Sequence, residues 1–158
     1  HVLLDIREEV GDWRDYGLLG FALDPNFYAN GHIYLSYVVD FHHLAHFGTP
    51  QYDPQANEFF RDTIGRVTRF TCDIADGCRT VLPGSRLVLI GESMSSGIPI
   101  LNQSHGIGTI VFGEDVFDGF FLNVQLHLDG FRRGSDRNRW LSLARLLGVG
   151  LAAQESET

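Results

Sequence analysis

The chain has 158 residues, with 12 basic side chains against 20 acidic ones and a formal charge of -8. With 44% hydrophobic and 20% charged residues the composition is globular, not that of a disordered chain, and the net acidity argues against a general nucleic-acid binder, which must neutralise phosphates. No apolar run approaches the roughly 18 residues of a membrane-spanning helix, so no membrane span is expected; the first residue is His1 rather than Met, as in a fragment or a processed chain.

Val2-Leu3-Leu4 opens the chain, and the stretch from Asp5 to Asp15 is polar. Leu18 to Leu23 reads as a buried strand. Asp24-Pro25-Asn26 and Asn30-Gly31 are turn signals, and Asn30-Gly31 supplies the positive φ of a tight hairpin. His32 to Tyr37 is aromatic and β-branched, as a strand should be. Residues 39–63 read as irregular, because Gly48, Pro50 and Pro54 break any long element. Gly65 to Thr71 reads as a surface strand, and Arg86 to Ile90 as another strand. Between them Cys72 and Cys78 flank Asp73, Asp76 and Gly77, which suits a hairpin turn. A pair this close can tie off a small loop but cannot staple a whole fold.

Residues 91–106 form a Gly- and Ser-rich loop, in which Pro99 forces an extended residue before it. Thr109 to Phe112 is a strand. Leu122 to Asp129 alternates with period two and reads as a half-buried strand. Trp140, Leu143 and Leu147 recur at helical spacing, predicting a short amphipathic helix over 138–147. Gly148 and Gly150 weaken any continuation, and Ala152 to Thr158 should fray. There is also an internal echo. Gly20 to Pro25 with Asn30-Gly31, and Gly108 to Gly113 with Asp118-Gly119, are each strand, acidic turn, strand. Radial repetition of such small sheets builds a propeller; a sandwich or partial barrel is the competing arrangement.

His105 is the leading chemical candidate. It precedes a strong strand, where an imidazole is held rigidly and can accept a proton near neutrality; the plainer role is a loop histidine bonded to backbone. His42, His43 and His46 suggest a metal, but His42 and His46 share a face only on a helix. No helix is expected there and the HExxH pattern is absent, so a solvated loop is the expectation. Asp12, Asp15 and Tyr16 either line a polar cleft or sit in a surface loop. Five arginines between residues 132 and 145 suit an anion or a solvated helix face. GxGxxG, P-loop, GxSxG and paired-cysteine zinc patterns are absent.

Gly17-Leu18-Leu19-Gly20-Phe21-Ala22-Leu23-Asp24-Pro25-Asn26-Phe27, with Asn30-Gly31 and Ile33-Tyr34, resembles the opening signature of the glucose/sorbosone dehydrogenase family. These are soluble sugar dehydrogenases that depend on pyrroloquinoline quinone (PQQ). Gly65 to Phe70 is similar to that family's next strand. Ser104-His105-Gly106-Ile107-Gly108-Thr109-Ile110-Val111-Phe112-Gly113 is similar to its histidine loop and following strand. The resemblance implies an all-β fold, here a partial β-propeller of about two to three blades out of six, since each blade takes roughly 40–45 residues.

It further implies PQQ and calcium as cofactors, a sugar or polyol as substrate, an external electron acceptor, and a periplasmic or secreted location. His105 falls on the general base, and Asp15 and Ser104 fall on positions that contact the sugar. Past Asp115 the family's Gly-Asp-Gly loop is replaced by Gln125-Leu126-His127. Residues 1–124 are therefore expected to be the propeller part and 125–158 a divergent tail. Besides an incomplete sugar dehydrogenase, the sequence suits a non-catalytic binding propeller or an inactive remnant.

Overall fold

The computed structural model describes residues 1–101, 107–115, 119–126 and 149–153. They form an all-β domain dominated by an antiparallel sheet. β1 (Leu18–Leu23), β2 (His32–Val38), β3 (Thr63–Thr71) and β4 (Leu87–Ile90) lie side by side in chain order, and β5 (Ile98–Ile100) pairs with the start of β3. A second sheet holds β6 (Ile107–Asp115), β7 (Gly119–Leu126) and β8 (Val149–Ala153). Neither sheet closes into a barrel. Two short helices, α1 (Phe27–Asn30) and α2 (Phe41–His46), sit in the connections after β1 and β2. Among the described residues no helix is long and apolar enough to cross a membrane.

β2 is the centre of the larger sheet and is covered on both faces, which explains its unbroken apolar and aromatic run. Ile33, Leu35 and Tyr37 face one way, together with Ile64 and Phe70 of β3. That face is covered by Leu3, Leu4, Ile6 and Val10 of the N-terminal segment and by Leu44 of α2. Tyr34 and Val38 face the other way with Val67, Ile90, Ile98 and Ile100, and meet Ile107 and Ile110 of β6. Ser36 is buried at this crossing and donates to the Gly108 carbonyl at 3.0 Å. Gly20 allows the approach: a Cβ there would stand 2.8 Å from the Ile110 amide nitrogen and would also strike the Ser36 hydroxyl.

The N-terminal segment is anchored by a buried ion network. Glu9 Oε1 accepts from the Tyr37 hydroxyl at 2.6 Å, from Arg86 Nη2 at 2.7 Å and from Arg66 Nη1. Arg66 also donates through Nε to the Gly91 carbonyl at 2.6 Å. Glu9 and Arg66 are both buried, so each charge depends on its partners. Burial pushes the Glu9 carboxyl up, but the Tyr37 hydroxyl and the Arg66 and Arg86 guanidinium groups outweigh it. The carboxyl is held below the usual glutamate range.

Several sequence expectations change. β1, read as a buried strand, lies at the sheet edge with Leu18, Phe21 and Leu23 exposed, and β3, read as a surface strand, is buried between β2 and β4. A helix stands within residues 39–63, because Asp40 caps it by accepting from the His43 amide and Leu44 packs on the core. The loop over 91–106 contains β5, whose central Pro99 pairs with Ile64. A proline is tolerated there because β5 is an outer strand, where its missing N–H leaves no ladder bond unmade. The strand expected at 122–129 begins earlier, at Gly119, its described part running over Gly119–Leu126. Ala152 and Ala153, expected to fray, belong to β8, which pairs parallel to β7. Cys72 and Cys78 form a disulfide across a 3-10 turn over Ile74–Asp76. The helix expected over 138–147 lies outside the described residues.

Two stability outcomes follow. Gly20→Ala should cost about 1–3 kcal/mol, the usual range for overpacking, read as a lowered urea midpoint. Glu9→Gln should cost about 3–5 kcal/mol at neutral pH, because it strands a buried Arg66 charge. A carboxyl whose pKa is lowered by folding supplies stability that is complete above its unfolded pKa. That stability is lost as pH falls through the folded value. The wild-type urea midpoint should therefore drop on acidification more steeply than that of Glu9→Gln.

Candidate functional site

Antiparallel order brings the starts of β1 and β3 and the ends of β2, β4 and β5 to one end of the sheet. Thr63 at the start of β3 pairs with Ile100 at the end of β5, so Leu101 leaves the sheet at this end. The described chain resumes at Ile107, whose side chain packs on Gly65 near the start of β3. Both flanks of the segment holding Ser104 and His105 thus meet the same end. Ser104 and His105 themselves lie outside the described residues.

Asp15 belongs to a loop at this end. Val10 bridges to Val39, so residues 9–11 prolong the β1 edge beyond Leu18. Gly11 donates its amide to the Val38 carbonyl at 2.9 Å, and Val38 donates its own amide to the Gly17 carbonyl at 3.1 Å. The two glycines therefore share one ladder position, and residues 12–16 leave the edge strand and return to it at the same place. Arg14 in this loop has φ 52, a left-handed conformation that is uncommon for a residue with a side chain and concentrates at functional loops.

The loop packs on residues 57–62, which lead into β3. Trp13 stacks on Phe59 with ring centroids 4.1 Å apart, and Phe60, exposed, meets Phe59 edge-on. Asn57 Nδ2 donates to Asp12 Oδ1. The Arg14 guanidinium stands 5.6 Å from the Trp13 ring centroid. Tyr16 turns inward and is buried, and its phenol is pushed up by burial and then by the Asp62 charge. Asp15 is exposed. Of the three expected members of a polar cleft, Asp12 and Asp15 therefore face outward and Tyr16 joins the core. Trp13 Nε1 and Asn57 Oδ1 are buried and without hydrogen-bond partners among the described residues. Trp13, Asn57 and Phe59 carry no sequence signal for this site, since Asn57 lies 45 residues from Asp12.

A second cluster lies on α2. His42 and His46 do share a helical face, contrary to the sequence expectation, with ring centroids 4.8 Å apart. Glu58 Oε1 lies 3.1 Å from His42 Nδ1. His42 Nε2 accepts from the Asp53 amide at 3.0 Å. His43 instead turns inward, where its Nδ1 meets the Tyr52 hydroxyl at 3.1 Å. Burial, more than the mixed charges around it, holds that imidazole below the usual histidine range.

Compared with protein-family models and with curated proteins, the sequence matches none.

Proposed function

We propose that this chain forms blades of a propeller akin to the glucose/sorbosone dehydrogenase family. In this reading the sheet end carrying Asp15 holds a sugar or polyol for PQQ-dependent oxidation. The observation that carries it is the convergence on one sheet end of the Asp12–Gly17 loop, the Trp13–Phe59 stack and both chain flanks, Leu101 and Ile107. Four consecutive antiparallel strands with a second sheet laid on one face fit a blade and its neighbour. On the opposite face of β1, Leu18, Phe21 and Leu23 stand exposed beside Tyr37, Leu35 and Ile33. A further blade would cover them. The Cys72–Cys78 disulfide suits a periplasmic or secreted protein.

Aromatic faces beside carboxylates suit a sugar, whose C–H faces stack on rings while its hydroxyls bond to acids. A hydroxyl that reached Trp13 Nε1 or Asn57 Oδ1 would also remove the cost, about 1–3 kcal/mol each, of leaving those groups unpaired. Asp15 and Ser104 then hold the substrate, and the His105 imidazole accepts the proton of the hydroxyl being oxidised. If bound, PQQ would supply the hydride acceptor and calcium would polarise it. The described residues do not fit that anionic quinone. Arg14 lies over Trp13, Arg61 lies over Phe41 and beside Glu58, and Asp12, Asp15 and Asp62 make this end acidic. The same acidity favours, as a second reading, a module that binds a hydroxyl-rich ligand without chemistry.

The assay is aldose oxidation with PQQ, calcium and an artificial electron acceptor: turnover supports the dehydrogenase reading, and sugar binding without turnover supports the binding module or an incomplete enzyme. His105→Ala should abolish turnover, and Asp15→Asn should raise KM. Turnover that survives His105→Ala overturns the role of that residue. Sugar-dependent change in Trp13 fluorescence without PQQ binding, read in a Trp140→Phe background, selects the binding module instead.

A further inference from the structure

We infer that His42, His46 and Glu58 form a binding site for a zinc-class transition metal ion, one that clamps α2 to the segment before β3. The site is independent of the sugar reading. Its ligand atoms, one from each residue, all lie within 4.8 Å of one another, and each residue is partly buried. Two imidazoles one helical turn apart with a carboxylate from a distant loop are a common zinc donor set. Nitrogen donors select against calcium and magnesium, which take oxygen. Tetrahedral zinc separates its ligands by roughly 3.4 Å, so the triangle needs to close by only about an ångström. The His42–Glu58 side is already near that spacing. His46 sits at the end of the six-residue helix, and its imidazole makes no hydrogen bond among the described residues. Its ring already stands against His42, 4.8 Å between centroids.

The hydrogen-bond pattern specifies which atoms serve. His42 faces Glu58 with Nδ1, so Nδ1 is the ligand atom. A neutral, metal-bound imidazole then carries its proton on Nε2, where the Asp53 amide now donates. Loading the metal moves the ring proton from Nδ1 to Nε2 and releases that amide. Glu58 offers Oε1, since Oε2 faces the Arg61 guanidinium at 3.6 Å. Arg61 is exposed and competes weakly for the carboxylate. Asn57 and Phe59 flank Glu58 in the chain, so the clamp also fixes the residues that touch Asp12 and Trp13.

Zinc alone, titrated into the metal-free full chain, should bind at one ion per chain. His46→Ala should weaken it by at least the 10–100-fold that losing an outer-shell partner costs, while His32→Gln should leave it unchanged. Cobalt in place of zinc should give the intense visible bands of a tetrahedral site. In the wild type, zinc should speed hydrogen exchange at the Asp53 amide. His46→Gln, with unchanged circular dichroism, serves if the alanine variant does not fold. Stoichiometric zinc binding that persists in both His46 variants, or an Asp53 amide indifferent to saturating zinc, overturns the proposal.

Discussion

One carboxylate oxygen, Oε1 of Glu9, ties together segments far apart in the chain. Tyr37 of β2, Arg66 of β3 and Arg86 beside β4 all donate to it. Removing these groups from water is costly, and only mutual satisfaction offsets the cost. The network therefore tolerates little displacement, and it fixes what lies next to it. The Glu9 carbonyl accepts from the Asp40 amide at 2.9 Å, and Asp40 caps α2 and holds the Glu58 amide. Gly11, two residues on, opens the loop that carries Asp15. Both candidate sites thus depend on a residue that takes no part in either.

The two sheets meet through both small and large groups, with Tyr34 of β2 edge-on to Phe112 of β6 at 5.0 Å between ring centroids. At the crossing of β1 and β6 Gly20 leaves no room for a side chain, and Ser36 satisfies a carbonyl of the opposite sheet. Isoleucines at 107 and 110 then fill the space on either side. Close backbone approach and apolar filling are complementary: the first sets the separation and the second excludes water from it. The Trp13–Phe59 contact lies at the end of this packed region, so its position is set by the sheet and not by the loops alone.

Strands that carry dense apolar or aromatic residues were readable from the sequence. Leu18 to Leu23 matches its expected span but not its expected burial, because it is the edge strand and leaves Leu18, Phe21 and Leu23 exposed; His32, Arg86 and Thr109 mark their strands to within a few residues. Short elements whose existence depends on distant partners were not readable. α2 holds three histidines in six residues and no apolar stripe; it exists because Asp40 caps it and Leu44 finds the core. β5 is three residues long with a proline at its centre, a pattern that argues for a loop until β3 is present to pair with it. The candidate site was legible only in part. Asp12 and Asp15 stood out as acids ahead of a strand, but Asn57, Glu58 and Phe59 reach their partners through folding alone. Sequence proximity between Asp15 and Tyr16 suggested a common role, and burial separates them.

Because Gly11 and Gly17 occupy a single rung opposite Val38, the five residues between them are a parenthesis in the edge strand. Lengthening that parenthesis, or replacing its exposed Asp12, Arg14 and Asp15, shifts no partner of β2, since the strand takes up its pairing where it left off while Tyr16 stays in the core. Loop length also enters closure entropy only logarithmically. The sheet can therefore serve as a fixed socket for exchangeable tips, and recognition at this end can diverge among related chains, or be redesigned, while the scaffold beneath keeps its register.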